Sequence, residues 1–167
     1  MAGITQSAGR AWLVLAAGVA LALVAIYPAA PVLGAAPEAA WAEAEEFVRL
    51  IDQVRIEHGR APLVRDSRLD ELALIKARDM AENGYFDHVS PVYGTIFDML
   101  EAVGIEYRWA GENIARAGDV ETAHEALMQS PDHRANILSA GYTHVGVGVV
   151  RDGRRLYIAQ IFANPRS

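Results

Sequence analysis

The spacing of apolar positions changes along this chain of 167 residues. Residues 11–27 are apolar without a break, which is enough for a helix roughly 25 Å long. Residues 38–138 instead repeat apolar positions every three or four residues, as amphipathic helices do. From His144 onward apolar and other residues alternate, which is typical of strands. The pattern predicts an α+β domain preceded by an N-terminal apolar helix.

Helix start and stop signals divide the helical part into segments. Pro37-Glu38 begins the first helix and Gly59 ends it, and Asp66 or Ser67 is the N-cap of the second, which Gly84 stops. Three shorter helices follow, and they are predicted at about residues 95–103, 119–129 and 131–138.

The alternating region predicts a β-hairpin. Asp152-Gly153 is a strong signal for a two-residue hairpin loop, and such a loop would pair Val149 with Leu156. Gly146 and Gly148 would share one face of the sheet, where they let a neighbour approach closely. We therefore expect helices packed on an antiparallel sheet.

The pattern of the first 37 residues predicts a targeting segment. Arg10 is their only charged side chain, the apolar run follows it, and a stretch rich in Pro and Ala covers residues 28–37. A cleaved signal peptide and an uncleaved membrane anchor formed by residues 11–27 both fit this pattern. Either interpretation predicts that residues 38–167 form one domain outside the cytoplasm, secreted, periplasmic or anchored.

Composition removes several classes of function. The chain has no cysteine, which excludes disulfides, a thiol nucleophile and a thiolate metal site. Fifteen Lys and Arg residues stand against 21 Asp and Glu residues, a formal charge of −6. This acidic balance argues against a nucleic-acid partner, because nucleic-acid binders normally carry a basic patch.

Four segments in order resemble the CAP superfamily, also called the SCP domain, in its short bacterial form. They are ARDMAENGYFDHVSP (77–91), GENIA (111–115), SPDHRANIL (130–138) and the GVGV…YIAQIF hairpin. The resemblance covers about residues 44–163. It implies a three-layer α-β-α sandwich, an extracellular location, and a cleft that carries two histidines and acidic residues.

The same resemblance supplies the candidate site. Ser130 stands where eukaryotic members carry a second Glu, so the second acid is left open, with Glu125 nearby. The resemblance implies a cleft formed from His88, Glu112, Asn113, Glu125, Ser130 and His133.

His88, Glu112 and His133 resemble a hydrolytic zinc site in ligand type, but their spacing is unlike that of helical ligand pairs. His88 is predicted in a loop, Glu112 in a turn-like segment, and His133 at the third position of a helix. The positive end of that helix favours the neutral imidazole of His133, and the neighbouring Asp132 favours the charged form, so its protonation state is left open. Two interpretations remain open: a cleft that binds zinc or another divalent cation, and a hydrogen-bonded cluster that holds loops together.

Structural roles are expected for the other candidates. Arg134 is predicted to pair with an acid, and Asn113 and Asn136 to bond to backbone in loops. The remaining histidines are interpreted as structural, and four aromatic residues as core rather than a ligand cage: Tyr85, Phe86, Tyr93 and Trp109.

Three functions follow from these expectations. The first is a binding module for a small apolar, lipid-like or cell-envelope ligand. The second is a metal-assisted hydrolase that uses His88, His133 and Glu112. The third is a structural scaffold of the cell envelope. Whether the chain is an enzyme, and its oligomeric state, are left open.

Overall fold

A computed structural model describes residues 38–166. The predicted apolar helix, and the choice between signal peptide and anchor, lie outside these residues. No helix within residues 38–166 combines the length and the apolar character needed to cross a membrane.

Five helices and four strands make up the described chain, and the five helices predicted between residues 38 and 138 are all present. The helices are α1 (Glu38–Glu57), α2 (Ser67–Glu82), α3 (Ile96–Ala102), α4 (Val120–Gln129) and α5 (Pro131–Leu138). The strands are β1 (Val64–Arg65), β2 (Tyr107–Ala117), β3 (His144–Asp152) and β4 (Arg155–Pro165).

The strands form one sheet in the order β1-β3-β4-β2. The three long strands are antiparallel, as predicted, but the two-residue β1 joins β3 in parallel. The prediction of a turn-like segment around Glu112 was wrong, since the residue lies in the middle of β2. Gly111 and Asn113 suggested a turn, yet they pair with Phe162 and Gln160 of β4.

Helices cover both faces of the sheet, and each face has its own hydrophobic core. One core joins α1, α4 and α5 to side chains such as Val147 and Ile158. The other joins α2 and α3 to the alternate side chains, among them Ile114 and Ile161. The expected three-layer α-β-α sandwich is therefore confirmed.

The β3–β4 hairpin is present, but its predicted register was wrong. Asp152 pairs with Arg155, which leaves Gly153 and Arg154 as the two loop residues. Val149 consequently faces Ile158 rather than Leu156. Gly153 takes a φ of 57°, so the first loop residue has the left-handed conformation that such hairpin loops require.

Helix α2 lies directly against β3 at two glycines. A Cβ atom on Gly146 would stand 2.1 Å from the backbone of Leu69, and one on Gly148 would stand 2.1 Å from that of Leu74. The buried Asp70 carboxylate adds a specific link by accepting the backbone N–H of Val147 at 2.9 Å. The expectation of a close approach at these glycines is confirmed.

We predict that Gly148→Ala destabilises the domain by about 3 kcal/mol or more, because the backbone of α2 would have to move away from the sheet. The midpoint of urea unfolding measures this loss. Gly118→Ala is the matched control, since a Cβ there meets nothing within 4 Å. An equal effect of the two substitutions would contradict the proposed packing constraint.

Candidate functional site

His88 and Glu112 form a direct contact between a loop and the sheet. His88 lies in the segment between α2 and α3, as predicted, and its Nδ1 is 2.6 Å from Oε2 of Glu112. The Glu112 side chain is 4% exposed, whereas that of His88 is 55% exposed. Burial raises the pKa of Glu112, and the hydrogen bond from His88 opposes that rise.

His133 joins this pair from another helix. It occupies the third position of α5, and the centroid of its ring lies 6.5 Å from that of His88. Burial lowers the pKa of His133, and the charge of His88 lowers it further, while Asp132 acts in the opposite direction. The neutral imidazole, which accepts a proton or a metal ion, is therefore favoured.

The topology explains why these distant residues meet. Strand β2 is an edge of the sheet, so its side chains lie where the two helical layers come together. His88 follows α2 in one layer and His133 belongs to α5 in the other. We call His88, Glu112 and His133 the edge cluster.

Buried amides fasten α5 to β2 beneath the edge cluster. Asn113 is fully buried and donates its amide to the backbone oxygen of His133 at 3.1 Å and to Gln160 Oε1 at 3.0 Å. Asn136 donates to Asn113 Oδ1 at 2.9 Å and to the Glu112 backbone oxygen at 3.2 Å. Both asparagines bond to backbone, as predicted, although they do so from a strand and a helix rather than from loops.

Lys76 is a positioning residue that the sequence analysis missed. It is fully buried on α2, and its ammonium group donates to the backbone oxygens of Asp87 at 2.7 Å and His88 at 3.0 Å. Burial lowers the pKa of Lys76, and the nearby Glu112 opposes the shift. The sequence did contain a signal for this role: helical spacing places Lys76 on the apolar face of α2, where a lysine is unusual.

Asp79 holds the same loop one turn further along α2. Its Oδ2 accepts the hydroxyl of Ser90 at 2.6 Å and also that of Tyr85, while its Oδ1 accepts the amide of Asn83 at 2.7 Å. Burial and the Asp79 carboxylate raise the pKa of Tyr85, which keeps this phenol protonated. The His88 loop is thus anchored at both of its ends.

A pocket of about 230 Å³ opens beside the edge cluster. Its walls are His88, Thr95, Ile96, Phe97 and Glu112, with Phe97 47% exposed. The pocket therefore places apolar side chains next to an imidazole.

The other two cleft candidates lie apart from this contact. Ser130 occupies the N-cap position of α5, but its hydroxyl makes no capping hydrogen bond in the described chain. Glu125 is on the exposed side of α4, and within residues 38–166 no hydrogen bond or ion pair joins it to the edge cluster.

Two structural expectations need correction. Arg134 contacts His58 at 2.9 Å, whereas an acid was predicted. Trp109 and Phe86 are 64% and 42% exposed, so neither is a core residue. Trp109 occupies an exposed position on the edge strand, and Phe86 packs under the guanidinium of Arg116.

The edge cluster contains some of the side chains that could hold a metal ion, but not a complete ligand set. No three His, Asp or Glu side chains in residues 38–166 are grouped closely enough to hold a metal ion on their own. Two imidazoles are available, and Oε1 of Glu112 is buried without a hydrogen-bond partner in this part of the chain. A carboxylate behind a histidine is the usual outer support of a metal ligand, so the residues fit a cation whose other positions are filled by its own ligand or by water.

The family model described as the cysteine-rich secretory protein family, CAP, matches residues 48–162. The chain belongs to the CAP family. Its CAP domain is similar to a solved extracellular protein containing a SCP domain from Bacillus anthracis, with 31% identity and a TM-score of 0.69. That match covers 74% of this chain and 40% of the other.

Two proteins of Bacillus subtilis strain 168 are similar in sequence to the CAP domain. The uncharacterized protein YkwD is 43% identical over 71% of this chain and 46% of its own length. The uncharacterized membrane protein YlbC is 41% identical over 64% of this chain and 31% of its own length. The chain thus spans less than half of either curated relative.

We predict that Glu112→Gln becomes more stable relative to the parent as the pH rises from 4.5, the ordinary pKa of a glutamate. The folded domain disfavours the ionised carboxylate, so the parent loses stability as the pH rises through the elevated pKa, and the glutamine does not. Urea unfolding between pH 4.5 and 8 measures the difference.

Glu101→Gln removes an exposed carboxylate from α3 and serves as the control. Its stability relative to the parent should stay nearly constant over the same pH range. A parallel pH dependence in both variants would show that the effect does not come from burial of Glu112.

Proposed function

We propose that this extracytoplasmic CAP-domain protein is a binding module for a small ligand with an apolar part, such as a lipid-like or cell-envelope molecule. The observation that carries the proposal is the juxtaposition of His88 with Ile96 and Phe97 in one pocket. Apolar walls combined with a few polar groups are typical of small-molecule sites.

Glu112 acts on His88 rather than on the ligand. Its side chain is almost fully buried, and when ionised it only accepts hydrogen bonds, which places the proton on His88 Nδ1. Nε2 of His88 then presents a lone pair to whatever enters the pocket. His133, which burial keeps neutral, offers a second imidazole nearby.

These two imidazoles would hold a divalent cation such as zinc, with Glu112 orienting His88 from behind. When bound, such an ion supplies a Lewis acid that attracts an oxygen of the ligand. The remaining groups of the site keep the same tasks: Lys76 and Asp79 hold the loop, and Asn113 holds α5.

The burial of Glu112 favours the binding module over the hydrolase alternative. Glu112 forms part of the pocket wall, but its Oε1 is inaccessible to solvent and its Oε2 is bonded to His88, so the general base of a hydrolase would have to be a histidine. In the scaffold alternative, substitutions of the edge cluster would change stability and nothing else.

The location outside the cytoplasm rests on two supports. Residues 11–27 read as a signal peptide or anchor, and a similar solved protein is described as extracellular. A relative from Bacillus subtilis is described as a membrane protein, which agrees with an anchored form. We propose that the domain works at or beyond the cell surface.

We expect the full chain, purified in a nonionic detergent, to bind zinc with micromolar affinity in a calorimetric titration. His88→Ala combined with His133→Ala should weaken binding at least about tenfold, because two imidazole ligands are lost. His144→Ala, at the start of β3, is the matched control and should leave the affinity unchanged. Zinc binding that survives the double substitution would refute the metal proposal.

The apolar part of the site has its own test. Octanoate, a carboxylate with a short alkyl chain, should bind the full chain, and Phe97→Ala should weaken it about tenfold through lost apolar contact. Calorimetry against a detergent blank measures the affinity. Phe86→Ala removes an equally exposed aromatic ring outside the pocket and should change little. Equal losses in both variants, or no binding by the parent, would contradict the binding module.

A further inference from the structure

A second, larger cavity lies away from the edge cluster. Its volume is about 530 Å³, and it lies between the loop after α1 and the helices α4 and α5. Arg60, Gln129, Arg134 and Ser139 line it, and it shares no lining residue with the pocket beside His88. Its polar walls are dominated by two arginines in a chain whose net charge is −6.

Neither arginine of this cavity has an acidic partner. The ion pairs found within residues 38–166 join other arginines to acids, and none includes Arg60 or Arg134. Two guanidinium groups beside one cavity repel each other weakly, and an anion between them would turn that repulsion into attraction.

His58 holds Arg134 in place. The histidine's Nδ1 lies 2.8 Å from the backbone oxygen of Val54, which only accepts, so Nδ1 carries a proton. Nε2 of the neutral ring is then free to accept a hydrogen bond from Arg134 Nη2 at 2.9 Å. The charge of Arg134 is thereby kept without being neutralised by an acid.

A third arginine, Arg55, is buried next to this region. Arg55 is 2% exposed and donates to the backbone oxygens of Ala61 at 2.8 Å, Ile137 at 2.7 Å and Ser139 at 2.9 Å. These bonds tie the loop that carries Arg60 to the end of α5.

The charged groups near Arg55 act on it in opposite directions. Burial lowers the pKa of Arg55, Asp52 raises it, and the charge of Arg60 lowers it again. Asp52 meanwhile accepts the backbone N–H of Leu63 at 2.9 Å. Two guanidinium groups, those of Arg60 and Arg134, therefore lie beside the cavity, and Arg55 holds the loop and the helix end that carry its lining.

We propose that this cavity binds an organic phosphate, with Arg60 and Arg134 contacting the phosphate oxygens. Guanidinium groups suit phosphate because their planar donors bond two oxygens at once. A volume of about 530 Å³ is many times the roughly 30 Å³ of a water molecule, so the cavity accommodates an organic group as well as the phosphate.

The test is calorimetry on the full chain at low salt, with glycerol 3-phosphate, inorganic phosphate and dihexanoyl phosphatidylglycerol as probes. Glycerol 3-phosphate should bind saturably, and Arg60→Gln with Arg134→Gln should weaken it at least tenfold. Arg60→Gln alone should weaken the binding of glycerol 3-phosphate several-fold. Because this side chain is exposed, the single variant should fold normally and keeps the test valid if the double variant does not fold. Arg154→Gln in the hairpin loop changes the same charge elsewhere and should have no effect.

The probes also identify the source of the phosphate. Tighter binding of the lipid than of glycerol 3-phosphate, lost in the double variant, supports the site with a lipid headgroup as its ligand. Equal or weaker lipid binding supports it with a soluble phosphate ester. No saturable binding by the parent, or an equal loss in Arg154→Gln, would overturn the proposal.

Discussion

The close packing of helix α2 against strand β3 is the constraint on which the rest of the domain depends. Gly146 and Gly148 let the helix backbone touch the sheet, and the bond from Val147 to Asp70 fixes the position of the helix. Because helix and strand are rigid, this contact also determines where the later turns of α2 lie. Lys76 and Asp79, which hold the loop of His88, are carried on those turns.

Buried polar side chains hold the loops and helices in place, and the ones that do so are bonded to backbone or side-chain partners. Lys76 and Arg55 are nearly or fully buried cations whose hydrogen bonds go mainly to backbone oxygens, so each binds a loop without an ion pair. Asn113 does the same between α5 and β2. Leaving a buried donor or acceptor without its hydrogen bond costs about 1–3 kcal/mol of stability. This cost favours one conformation of each loop.

The domain carries two chemically different cavities. Glu112 and the two histidines meet where the helical layers come together over β2, beside apolar walls. The cavity with Arg60 and Arg134 lies at the end of α1 and combines these two basic side chains with apolar ones of α5. A ligand with both an apolar and an anionic part would find its two kinds of contact in separate places on this domain.

The sequence by itself determined the helices, the hairpin and the family, because apolar spacing, caps and glycines are local signals. It placed His88 in a loop and His133 at the start of α5 correctly. Strand β2 was missed since its Gly-Glu-Asn segment favours a turn locally, and only pairing with β4 makes it a strand. The hairpin register, the role of Lys76 and the partner of Arg134 were decided by tertiary structure, because each depends on residues distant along the chain.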